Sequence, residues 1–228
     1  MVRRMKKLGL AAVLFCVLCG TTVGAQDVGM DGLNPKTAKA IRPIVKTANK
    51  HFTRMPQVQL TSRLVDLCNG DGETNTLVRY CTALNTIYVA ADLTERLPPE
   101  GAAYVLAHAY GHAVQVRHGI ADIALAKITT DRPREAELRG LVTMQVECIA
   151  GVLVGRALPN GRGKPSDWFP TEPFTGSHWG RSPMRNGPKV AIGTAMRDEW
   201  FSKGRASRDF ASCAAGEMGA ELILRAER

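Results

Sequence analysis

No basic run with interleaved aromatics occurs in this sequence, and aromatic residues make up only 6% of it. The chain therefore lacks a stretch that could stack bases while gripping phosphates, and no nucleic acid is expected as a partner. It has no internal repeat and no low-complexity tract, which argues against solenoids and arrays. Long apolar runs are also missing. Residues 8–19 are apolar but too short to span a bilayer comfortably. "CIAGVLVG" (148–155) is shorter still, and its Gly151 and Gly155 suit close packing of a buried helix better than a membrane contact. Acidic residues are the scarcer charge, 21 against 30 Lys and Arg, for a formal net charge of +9 over 228 residues.

What is present begins at the N-terminus. Arg3, Arg4, Lys6 and Lys7 form a basic segment, the apolar residues 8–19 follow, and Val23 and Ala25 are small residues before Gln26. That order predicts a signal peptide over 1–25, a mature start near Gln26, and a periplasmic or secreted protein with no transmembrane span in the mature chain. Loss of the four basic residues lowers the charge from +9 to about +5, a balance that favours solubility. Two cysteines leave with the leader, and Cys68, Cys81, Cys148 and Cys213 remain. An even count in an exported chain predicts two disulfides. "CNGDGETNTLVRYC" is a short turn-rich loop bounded by Cys68 and Cys81, so these two are expected to pair. Cys148 and Cys213 pair by exclusion.

Residues 26–35 read as a linker and 36–228 as one domain. Residues 36–52 have helical spacing, with Pro43 as an irregularity. Strands are expected within 58–65 and 85–93. "PPEGAAYVLAHAYGHAVQVRHG" (98–119) reads as a buried helix ending near Gly119, and a second long helix follows in 129–161. Residues 159–187, rich in Pro, Gly and Trp, read as a long loop. Two last helices are expected at 189–203 and 206–226.

His108 and His112 stand four apart on the first long helix, so their rings leave one face a turn apart and can meet on one zinc ion. In an H-E-x-x-H helix the residue after the first histidine is the glutamate that moves protons. Here it is Ala109. His118, at the helix end, is placed to complement the helix dipole. His51 and His178 read as surface residues, and His178, in the long loop beside Trp179, is a conceivable extra ligand.

Four segments resemble the neutral zinc metallopeptidases of bacteria, in that family's order: "LVRYCTALNTIYVAADLTERL", "VLAHAYGHAVQ", "VTMQVECIAGV" and "GTAMRDEWFSKG" followed by Cys213. The resemblance implies a zincin-like α+β domain, mostly helical, with a small sheet before the helix that carries the two histidines. It also implies that the family's catalytic Glu falls on Ala109, its Glu ligand on Thr143, and the Asp behind the ligands on Glu147. His108 and His112 keep their identities. The expectation is an inactive pseudopeptidase whose zinc is weak or absent, with a polar-lined cleft, somewhat enlarged, that binds a peptide or envelope protein. Two alternatives stand beside it. One is a working peptidase in which Glu147 substitutes as ligand or base. The other is a structural protein with a vestigial cleft.

Overall fold

The computed structural model describes residues 35–64, 67–69, 77–174, 178–180 and 191–228. The expected signal peptide and most of the linker lie outside them. The architecture is α+β, with helices dominating and one four-stranded mixed sheet. The first helix, α1 (Pro35–His51), contains Pro43 without breaking. It buries Ile41, Ile44 and Ala48. Strands β1 (Gln57–Thr61), β2 (Val78–Cys81) and β3 (Thr86–Ala90) follow, then the short α2 (Leu93–Arg96). The long helix α3 (Pro99–Arg117) is buried from Gly101 to Gln115. Helices α4 (Ile120–Thr130) and α5 (Glu135–Ala157) come next, then the one-turn α6 (Pro165–Trp168), the two-residue strand β4 (Trp179–Gly180), α7 (Thr194–Ser207) and α8 (Glu221–Ala226).

The strand order is β1-β3-β2-β4. β1 runs parallel to β3, β2 antiparallel to β3, and β4 parallel to β2. The sheet is fastened to α3 by Arg117, whose Nε donates to the Tyr80 hydroxyl at 3.0 Å. Arg79 is fully buried in β2 and donates from Nη1 to the Leu64 and Leu67 carbonyls.

Several boundaries differ from those expected. β2 falls inside a segment that reads as a turn, because only its last four residues pair. α4 is a separate helix, because Gly119 takes a left-handed conformation (φ 77°) and reorients the chain before Ile120. The loop 159–187 carries α6 and β4. The expected helix over 206–226 does not form. Arg208 ends α7 at φ 55°, Asp209 caps a short 3-10 turn at Phe210–Cys213, and only Glu221–Ala226 is helical. The stretch Arg132–Ala157 is long and apolar enough to cross a bilayer, but most of it is buried inside the protein.

α5 and α7 form the tightest helix pair. Gly151 and Gly155 of α5 and Gly204 of α7 bring backbone against backbone, so the GxxxG spacing serves internal packing. Cys148 of α5 is bonded to Cys213 in the 3-10 turn that follows α7. Cys68 and Cys81 have Cα atoms 5.9 Å apart, within the reach of the expected disulfide. The Cys148–Cys213 bond closes a separation of 65 residues. Replacing both cysteines by alanine is expected to lower unfolding free energy by about 4 kcal/mol on the chain-entropy account. Urea unfolding measures it, and a loss near zero would contradict that account.

Candidate metal centre

His108 and His112 lie one turn apart on α3, on the face turned toward the strap that carries β4. The strap's position is set by ordinary sheet pairing: the Tyr80 amide donates to the His178 carbonyl at 2.9 Å, and the Thr82 amide to the Gly180 carbonyl at 3.1 Å. This pairing drives the His178 ring between the other two. His178 Nε2 sits 2.9 Å from His108 Nε2 and 3.1 Å from His112 Nε2. The ligand atoms of the three residues all lie within 4.8 Å of one another. His178 is therefore not a surface residue, and the third histidine comes from a loop 66 residues beyond His112.

The cluster is dry. His108 is fully buried and His112 is 3% exposed. Phe174 stacks on the His108 ring with centroids 4.0 Å apart, and Trp179 on the His112 ring at 4.8 Å. Phe174 holds a left-handed backbone (φ 62°) to do so, a conformation that costs a non-glycine residue energy. Burial, then the charges of neighbouring histidines and Arg197, pushes both α3 imidazoles well below the usual histidine range. Both are neutral, the state a metal ligand needs.

Three converging Nε2 atoms make poor hydrogen-bond partners for one another. A neutral imidazole carries one N–H, so a proton on His178 Nε2 serves one neighbour well and leaves the other lone pair facing a nitrogen. A divalent cation at the centre satisfies all three. Around tetrahedral zinc with Zn–N of ~2.0–2.1 Å the nitrogens stand roughly 3.3–3.4 Å apart, a few tenths of an ångström wider than the two separations here. The third separation is bounded by the 4.8 Å within which all three ligand atoms lie, so the donor set fits the ion once the two α3 rings close on it.

Behind the histidines lies a buried ionic network. Glu147 Oε1 is 3.0 Å from His108 Nδ1, though the contact is not aimed as a good hydrogen bond. Glu147 also accepts from Arg197 Nη1 and, at 3.0 Å, from the Tyr104 hydroxyl. Arg197 Nε donates to Glu172 at 3.0 Å, and Glu172 accepts the Ile192 and Gly193 amides. Burial raises the Glu147 carboxyl above its usual range, and Arg197 opposes that rise. Glu147 thus stands on the Nδ1 side of His108, away from the converging Nε2 atoms. Its carboxylate stands beside that ring, outside the ligand set. Replacing Glu147 by alanine removes one of the two carboxylates that hold the buried Arg197 and leaves Glu172 as the other, which is expected to cost about 3 kcal/mol. Urea unfolding of Glu147→Ala beside wild type checks this, and an unchanged midpoint would contradict it.

The other predicted positions are settled by their surroundings. Ala109 is buried at 1% exposure and offers no base. Thr143 is half-buried, and its hydroxyl donates to the Arg139 carbonyl of its own helix at 3.0 Å, so it is not aimed at the cluster. His118 is held below its usual range by burial and by Arg54. His51 is half-buried beside Arg156 and Glu227. Phe174, His178 and Trp179 pack against the two α3 histidines on the side where the cleft was expected.

Residues 32–162 match the family described as "Putative neutral zinc metallopeptidase". The chain belongs to that family. No curated protein and no solved structure matches it. The zinc metallopeptidase match ends before His178, so the third histidine of the cluster lies outside the family's matched segment. Tyr104, Phe174 and Arg197, which shape the site, were not singled out by sequence reasoning. Arg197 lies within the "GTAMRDEWFSKG" segment, and that was the one available signal for it.

Proposed function

We propose that this chain is an exported, catalytically inactive member of the zinc metallopeptidase family that holds one zinc ion in a closed three-histidine site. The observation that supports it is the convergence of His108, His112 and His178 Nε2 with no carboxylate among them in the described residues. Zinc there supplies Lewis acidity and a crosslink between α3 and the strap. The protein's own residues do the rest. Glu147 sets a carboxylate beside His108, Phe174 and Trp179 exclude water, and β4 covers the edge of β2 where an extended peptide would otherwise add as a strand. Peptide hydrolysis needs a group that takes a proton from water and returns it to the leaving amine, and such help is worth ~10²–10⁴-fold. Ala109 has no such group, and Glu147 is committed to Arg197 and Tyr104. A peptide-binding cleft would require the strap to lift away from β2, and the pairing at Tyr80 and Thr82 opposes that.

The test is a general peptidase assay on zinc-loaded protein, with and without chelator. The expected result is about one zinc per chain and no hydrolysis above the blank. Chelator-sensitive hydrolysis would overturn the inactive reading, and absence of zinc would favour a vestigial site.

A further inference from the structure

The sequence of α1, PKTAKAIRPIVKTANKH, contains no aspartate or glutamate. Lys36, Lys39, Arg42, Lys46 and Lys50 follow one another at intervals of three or four, and all five are exposed. Those intervals are the helical repeat, so the five cations lie along one stripe. At 1.5 Å per residue the stripe runs about 21 Å. The opposite face, Ala38, Ile41, Ile44 and Ala48, is buried in the core, and the Thr37 hydroxyl ties the start of the helix to the Ala91 carbonyl at 2.9 Å. The stripe is thus held rigidly outward. Like charges at this spacing destabilise a helix. A merely solvated face has no reason to omit every acidic residue. Lys39, Lys46 and Lys50 form no ion pair among the described residues.

We propose that this stripe docks the protein on an anionic phospholipid bilayer. The stripe lies on the convex side of a single helix, which suits a flat charged surface. α1 has no aromatic residue to stack on a base, which disfavours a single-stranded nucleic acid. Because the apolar face of α1 is committed to the core, attachment through the stripe is electrostatic, without insertion, and is weakened by salt.

Sedimentation of the mature chain, from Gln26 onward, with vesicles tests this. Vesicles of equal parts phosphatidylglycerol and phosphatidylcholine are compared with phosphatidylcholine alone. The expected result is tighter binding to the anionic vesicles, reversed at high ionic strength. The triple variant Lys39→Gln, Lys46→Gln, Lys50→Gln should lose about a hundredfold in that binding, at roughly fivefold per cation. Its unchanged circular dichroism would show that it folds. Undiminished anionic binding by the folded variant, or no preference for anionic vesicles in the parent, would overturn the proposal. So would stripe-dependent binding to an RNA oligonucleotide tighter than to the vesicles, which would reassign the surface to nucleic acid.

Discussion

Replacing His178 by alanine is expected to weaken zinc binding by about a hundredfold or more, so that the purified variant carries well under one zinc per chain. The magnitude follows from sharing the ~10–16 kcal/mol of a four-ligand structural zinc site among its ligands, about 3 kcal/mol each. The loss is specific to the converging rings. His118→Ala removes a histidine from the end of the same helix, outside the cluster, and should leave zinc content unchanged. Thr143→Ala should also leave it unchanged, since that hydroxyl is bonded to the Arg139 carbonyl, although the position corresponds to the family's glutamate ligand. Competition with a chromogenic chelator measures all three. Equal affinity in His178→Ala and wild type would remove the strap from the site, and a loss in Thr143→Ala would restore the family's usual ligand geometry.

The second large effect concerns packing. Gly151→Ala is expected to destabilise the protein by roughly 2–4 kcal/mol. An added Cβ would fall inside the contact distance of the Phe201 carbonyl oxygen and press on the Arg205 amide. Both are backbone atoms of α7, so no rotamer change relieves the clash and the helices must part. The gain in helix propensity from glycine to alanine, about 1 kcal/mol, offsets only part of this. Gly140→Ala, on the same helix, is the control. Among the described residues its Cβ would meet Ile192 alone, at 3.9 Å, so stability should hold or rise slightly. Thermal unfolding reports both, and for a chain of this size a 3 kcal/mol loss corresponds to about 6–12 °C. A Gly151→Ala variant as stable as Gly140→Ala would contradict the close approach of α5 and α7.

The sequence made some of this plain and hid the rest for physical reasons. α3 was legible because one apolar, alanine-rich stretch with prolines at its start carries both His108 and His112. The sheet was partly legible, since β1 and β3 are rich in β-branched and aromatic residues. β2 hid within a turn-like segment, because its four residues take their order from partners on both sides. His178 was the residue hardest to place. Its local context, a Pro- and Gly-rich loop, has no period, and what brings it to α3 is a two-residue pairing between β4 and β2 across nearly a hundred positions. Loss of a carboxylate at Thr143 therefore pointed to a weak two-histidine site, while the structure supplies a third imidazole from elsewhere. Glu147 stands where the resemblance places the Asp behind the ligands; in the fold it is buried, bonded to Arg197 and Tyr104, and lies beside His108 rather than among the ligands.

Zinc K-edge X-ray absorption of the purified protein tests the central claim most directly, because it counts imidazole ligands around the metal. Three imidazoles in wild type, falling to two in any His178→Ala protein that retains zinc, is the result the structure predicts. Two imidazoles with a carboxylate in wild type, or no bound zinc at all, would contradict it.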